Sequence, residues 1–181
     1  MSSIPMVDLV AQYHSIKPEI DEAIGRVLTN GTFILGEEVK TFESHVASYT
    51  GVAEAVGVAS GTDALVLALL ACGIGPGDEV VTTPFSFIAT SECIARAGAT
   101  PVFVDIDEET LNLDLDAVEV AVTPRTRAIL PVHLYGHPVD MTRVMSIAKR
   151  HGLRVVEDCA QSQGATWEGV QAGSFGDCGC L

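Results

Sequence analysis

The sequence predicts an α/β fold, a mostly parallel sheet flanked by helices, on three observations. From about residue 54 onward, short apolar runs alternate with stretches of helical period. The runs are apolar throughout rather than every second residue, the pattern of strands buried on both faces. Glycine and proline punctuate each change of period.

Taken in order, residues 55–59 read as a short strand, and residues 62–72 as an apolar helix closed by Gly73 and Gly75-Pro76-Gly77. Residues 79–83 form a strand that Pro84 ends. A helix over 88–97 closes at Gly98, and 101–104 is the next strand. Asp114 is a candidate N-cap for a short amphipathic helix over 114–122. Residues 127–133 are strand-like, 141–151 form a helix between Asp140 and Gly152, and 153–157 form a strand. Residues 165–172 look like a hairpin around Trp167-Glu168-Gly169; 173–177 is a turn, and 178–181 begins another strand. The first fifty residues differ: an extended arm, a helix over 15–28, a glycine-bounded loop and a helix over 37–50. The expected organisation is an N-terminal arm with helices (1–53) and one α/β domain (54–181). Because the chain stops at Gly179-Cys180-Leu181 in mid-element, that domain is expected to be incomplete at its C-terminus, the front part of a longer protein.

Composition narrows the partners. The 181 residues carry 10 Lys and Arg against 24 Asp and Glu, a formal net charge of −14. Nucleic acid is disfavoured, because neutralising its phosphates needs clustered cations. A single small phosphate remains possible, since oriented amides can hold it. No basic start precedes an apolar run, so no signal peptide is visible, and the longest apolar run, 64–72, is too short to span a membrane. Cys72, Cys93, Cys159, Cys178 and Cys180 form no paired framework, which indicates reduced thiols in a cytoplasmic protein. Cys178-Gly179-Cys180 reads as small buried residues rather than metal ligands. His133 and His137 have ligand spacing, but Tyr135-Gly136-His137-Pro138 reads as a turn.

Three loops carry candidate chemistry. Ser60-Gly61-Thr62-Asp63 joins a strand to a helix, where glycine permits close approach and the first helical amides are free to face a phosphate; the structural alternative is an ordinary N-cap. Phe85-Ser86-Phe87 follows a strand, where an aromatic can cover a planar ring. Phe85 is expected in the core, whereas Phe87, opening a helix beside the phosphate loop, is the candidate. In Val155-Val156-Glu157-Asp158-Cys159-Ala160-Gln161 an apolar strand ends in acids. Asp158 there can pair with a protonated ring nitrogen and hold it charged, which is the requirement of pyridoxal phosphate (PLP) as an electron sink. Gln161 can reach a ring oxygen. The structural alternatives are a helix cap for Asp158 and a solvated strand-end acid for Glu157.

In this order and at these separations, the three loops resemble the DegT/DnrJ/EryC1/StrS family of PLP-dependent sugar aminotransferases. Pro131-Val132-His133-Leu134-Tyr135-Gly136, Gly173-Ser174-Phe175-Gly176-Asp177 and Gly31-Thr32-Phe33-Ile34-Leu35-Gly36 extend the resemblance over essentially the whole chain. The resemblance implies the large domain of a fold-type I PLP-dependent transferase, without the small C-terminal domain. It implies that the amides of Thr62 and Asp63, beside Gly61, hold the cofactor phosphate. Phe87 would then stack on the ring, Asp158 pair with its nitrogen and Gln161 face its phenolic oxygen. It further implies a homodimer that moves an amino group, commonly from glutamate, to a nucleotide-linked keto sugar. Val7-Asp8-Leu9 and Phe33-Ile34-Leu35-Gly36 most resemble the branch acting on 3-keto sugars. The family's Schiff-base lysine is expected beyond Leu181, because Lys17, Lys40 and Lys149 have no matching context. A histidine at that position would imply a sugar dehydratase of the same fold, and a chain ending at Leu181 a non-catalytic product.

Overall fold

The computed structural model describes residues 6–181. It opens with two helices, α1 (Leu9–Asn30) and α2 (Glu37–Thr50). Asp8 caps α1 by accepting from the Ala11 N–H at 2.9 Å, and Gly31 ends it in the left-handed conformation. The helix expected over 15–28 therefore begins at Leu9. A helix begun at Ser15 would have Pro18 in its first turn, where a missing N–H costs nothing; the structure carries Pro18 inside the longer helix. The expected arm is correspondingly shorter, and its part in residues 1–5 lies outside the described residues.

The remaining elements are α3 (Gly61–Ala71), β1 (Glu79–Thr82), α4 (Ile88–Arg96), β2 (Thr100–Phe103), α5 (Leu115–Ala121) and β3 (Thr126–Ile129). A 3-10 turn (Leu134–Gly136), α6 (Met141–His151), β4 (Arg154–Asp158), β5 (Thr166–Trp167), β6 (Val170–Gln171) and β7 (Cys178–Cys180) follow. Among the described residues the main sheet has the order β2-β1-β3-β4-β7, with every neighbouring pair parallel. β5 and β6 make a separate antiparallel hairpin.

The sheet is covered on both sides, which is why its strands show no polar alternation. Val80, Ala128 and Val156 pack with Leu65 and Leu69 of α3 and Ile94 of α4. Their neighbours Val81, Ile129 and Val155 point the other way, against Val118 of α5 and Met141 and Val144 of α6. Period two along each strand therefore feeds two cores.

Two expected strands differ. Residues 55–59 are irregular and mostly exposed, Val56 included. Among the described residues they have no partner strand, and a strand exists only by pairing its amides and carbonyls; the Gly57 N–H instead donates to Glu43 Oε1 at 2.7 Å. The run expected over 127–133 leaves the regular ladder after Ile129, because Pro131 has no N–H to offer. Its path still follows the sheet: the Leu130 N–H donates to the Val81 carbonyl and Val132 bridges to Asp158.

This strand order fixes where a ligand site can form. From β1 the chain runs through α4 to β2 on one side; from β3 it runs through α6 to β4 on the other. The C-terminal ends of β1 and β3 thus open a crevice at the topological switch point. Among the described residues no helix is long and apolar enough to cross a membrane.

Helix α6 tests the capping argument. Asp140 Oδ1 accepts from the Arg143 N–H at 2.9 Å. Asp140→Ala is expected to lower stability by about 1 kcal/mol, read as a lower urea midpoint with an unchanged denaturant slope.

Candidate active site

A cleft of about 200 Å³ occupies the switch point, with Gly61, Thr62, Phe87, Asp158 and Gln161 in its wall. Three loops that are 25 residues or more apart in sequence thus converge. Asp63, the sixth expected residue, sits in the first turn of α3 outside the cleft wall. Its N–H donates to Ser60 Oγ at 3.1 Å, and its carboxylate pairs with Arg96 at 3.2 Å.

Ser60 is therefore an N-cap, the structural alternative raised for this loop, and it leaves the amides of Gly61 and Thr62 without helical partners. These amides and the dipole of an 11-residue helix face the cleft. A Cβ on Gly61 would meet only the Leu181 carbonyl, its oxygen at an ordinary 3.4 Å.

Asp158 ends β4 with its side chain on the α3/α4 side of the sheet, two residues on from Val156. No helix follows it, so the capping alternative falls. The Ala160 N–H donates to Oδ1 at 3.3 Å, and Thr90 Oγ1 donates to Oδ2 at 2.9 Å. Asp158 is nearly buried yet borders the cleft. A carboxylate so placed is an acceptor for a buried N–H cation.

Gln161 offers the complementary group. Its Oε1 accepts from the Tyr135 N–H at 2.9 Å, which leaves Nε2 as the end that can donate to a ligand oxygen. Tyr135 itself has φ 55, a left-handed conformation that non-glycine residues rarely adopt and that gathers at functional loops. Phe87 is 74% exposed beside the cleft, an apolar face free to be covered. The expectation of a core position for Phe85 is overturned: it is 41% exposed. Its N–H turns back to Thr83 Oγ1 at 3.1 Å, and this tight bend after Pro84 carries the ring off the sheet.

The structural alternative raised for Glu157, a solvated strand-end acid, falls as well. Glu157 is fully buried rather than solvated. His133 Nδ1 accepts from the Val139 N–H, so Nε2 carries the proton and donates to Glu157 at 3.0 Å. The N–H groups of Gly173, Phe175 and Gly176 donate to the same carboxylate at 2.8, 2.9 and 2.8 Å. Burial alone would push this carboxyl up; the His133 hydrogen bond and the Gly176 and Gly173 amides outweigh it and hold the group below its ordinary 4.5. Cys159 lies close to both side chains, but the histidine nitrogens and carboxylate oxygens are committed to hydrogen bonds, so the cluster is a structural network. Alternation already marks Glu157: it shares a strand face with Val155, and that face is covered.

The cysteines do not supply a nucleophile here. Burial pushes the thiol of Cys180, which borders the cleft, up to about 12, and Cys93 likewise.

Comparison with known proteins accounts for this convergence. The family model of the DegT/DnrJ/EryC1/StrS aminotransferases matches residues 14–181. The chain belongs to that family. It is 54% identical over 180 residues to UDP-N-acetyl-3-dehydro-alpha-D-glucosamine 3-aminotransferase of Acidithiobacillus ferrooxidans, covering 99% of this chain and 49% of that protein. The crystal structure of DesV from S. venezuelae superposes with a TM-score of 0.94 at 49% identity, over 96% of this chain and 47% of that one. NtdA of Bacillus subtilis, solved with bound cofactor PMP, superposes with a TM-score of 0.88 at 37% identity, over 96% of this chain and 40% of that one. The chain thus spans about half the length of the relatives it matches or less. Its fold is that of the large domain of PLP-dependent transferases, and pyridoxal phosphate is the cofactor of the family.

The cleft fits that cofactor on its own terms: free amides at one end, an apolar aromatic face, a buried anion and an amide donor. The Glu157 network is testable without it. Glu157→Ala is expected to cost about 3 kcal/mol by stranding four donors. Because the carboxyl is held low in the folded state, its stabilisation is complete above pH 4.5 and is lost as pH falls through the folded-state value. Glu157→Gln should therefore flatten that part of the acid limb in urea titrations run at a series of pH values.

Proposed function

We propose that this chain is the cofactor-binding part of an aminotransferase that moves an amino group from glutamate to the 3-keto carbon of a nucleotide-linked sugar. The observation that carries the reading is Asp158, a nearly buried carboxylate fixed at the switch-point cleft opposite the free end of α3. When bound, pyridoxal phosphate supplies a cationic ring that draws electrons from the carbon losing its proton. Asp158 would hold the proton on the ring nitrogen, because an adjacent anion favours the charged form. The amides of Gly61 and Thr62 would receive the phosphate, with the Asp63 N–H shared between it and Ser60. Phe87 would exclude water from one ring face, and Gln161 Nε2 would donate to the ring oxygen.

The Schiff-base lysine belongs, in this reading, to the chain that follows β7. Support comes from Cys180 of β7, which borders the cleft, and from the Leu181 carbonyl beside Gly61, so that a chain continuing from β7 would start next to the cleft. The 3-keto sugar follows the printed activity of the Acidithiobacillus relative. Residues 54–181 would form the cofactor domain, with 1–53 appended to it and a small domain supplied elsewhere in the protein. A homodimer is supported by α1, where among the described residues none is buried, and by its exposed Leu9, Val10, Ile24 and Leu28. Unpaired thiols support a cytoplasmic setting.

The test uses the full-length protein of which this chain is part. Release of 2-oxoglutarate from glutamate is measured on adding a UDP-linked 3-keto sugar. Asp158→Asn should lower kcat at least about a hundredfold, the scale of a lost charge-stabilising group. Undiminished turnover in that variant would remove Asp158 from its role, and no amino transfer to any keto sugar would sink the reading.

A further inference from the structure

Asp158 does not hold itself in place. Thr90, in the first turn of α4, is 1% exposed and forms no part of the cleft wall. Its Oγ1 lies 2.9 Å from Asp158 Oδ2 and 2.7 Å from Ser86 Oγ. A threonine hydroxyl has one proton and an ionised carboxylate has none to give, so the direction is fixed: Ser86 donates to Thr90, and Thr90 donates to Asp158. The Ala160 N–H takes the other oxygen.

We infer that Thr90, with Ser86 behind it, is a positioning residue that aims the Asp158 carboxylate at the ring nitrogen of the bound cofactor. This rests on the cofactor reading above. One donor on each carboxylate oxygen sets the plane of the group, and the lone pairs left over are those facing the cleft. The hydroxyl is held toward Asp158 by its two hydrogen bonds and by burial, Thr90 being 1% exposed. Ser86 occupies the acceptor side of that hydroxyl and turns its proton toward Asp158. The arrangement also couples two loops, since Ser86 precedes Phe87 after β1 and Asp158 ends β4. The nitrogen-binding acid is thereby registered to the segment that carries the ring cover.

The experiment measures pyridoxal phosphate affinity of the full-length protein by absorbance titration. Thr90→Val keeps the shape and removes the proton; it should raise Kd roughly tenfold, the scale of a hydrogen bond to a charged group. Thr90→Ser restores the donor and should return Kd to within about twofold of wild type. On an Asp158→Asn background Thr90→Val should add nothing, since it acts through that carboxylate. A deaza analogue of the cofactor, lacking the ring nitrogen, should bind wild type and Thr90→Val alike.

If Thr90→Val binds pyridoxal phosphate as wild type does, the inference is overturned. It is overturned equally if the loss persists with the deaza analogue or on the Asp158→Asn background, because the effect is then packing. Should Thr90→Val fold poorly, Ser86→Ala tests the same chain: a rise in Kd of about threefold is expected, and, since Ser86 itself borders the cleft, either no change or a rise that persists with the deaza analogue overturns the relay. The two readings fail separately. Absence of binding by wild type defeats the cofactor reading itself, whereas weakened binding by Asp158→Asn beside normal binding by Thr90→Val defeats this inference alone.

Discussion

Glu157 is an anion in a place without water, and the end of the sheet is organised around satisfying it. Withdrawing a carboxylate from solvent costs several kcal/mol unless donors replace the lost hydration. Here four donors do so: His133 Nε2 and the amides of Gly173, Phe175 and Gly176. A partly made network of this kind is worse than none, so the 173–176 segment must close onto β4 as a unit. That closure is sterically exacting. Gly173 has φ 89, and a Cβ on Gly179 would overlap the Gly173 backbone. β7, only three residues long, is thereby set beside β4, and its Cys180 carbonyl accepts from the Cys159 N–H at 2.7 Å. The turn that follows Asp158 and carries Gln161 is fixed from the same anion.

Adjacent acids therefore do opposite work because a strand turns its side chains by half a revolution per residue. Glu157 shares its face with Val155 and meets only protein donors. Asp158 shares its face with Val156 and emerges where α3, α4 and the ends of β1 and β3 leave a gap. The first is fully satisfied and chemically silent. The second has one donor on each oxygen and keeps acceptor capacity for a ligand. A one-residue slip of β4 would exchange the two, placing the committed acid in the cleft and the free one in the core.

Local chemistry was legible in the sequence and long-range pairing was not. The bounds of α2 and α6 follow from glycine ends and, for α6, an Asp cap, signals that act within one turn. Residues 55–59 have the composition of a strand, but composition does not supply a neighbour to pair with. Phe85 and Phe87 look alike in sequence; the bend after Pro84 exposes both. The cleft residues were recognisable because their loops carry motif strings. Thr90 closes the motif string that runs on from Thr83, but its contact was hidden: it is a helix residue, and the acid it meets lies 68 positions away. Glu157 could have been placed correctly from two facts already in hand, strand alternation and a sheet covered on both faces.

The charge balance poses a further constraint on binding. The chain carries −14, yet the ligand proposed for its cleft is a phosphate ester. Among the described residues no Lys or Arg lines the cleft. The nearby Arg96 is engaged with Asp63, which neutralises an acid that would otherwise sit in the first turn of α3 next to the anion. What this chain contributes to attraction is then the α3 amides and dipole, forces that decline within about a turn of the helix. Such a site holds a phosphate only at contact distance and gives no long-range steering. Geometry at Gly61 and Thr62 consequently matters more to affinity than any change of surface charge.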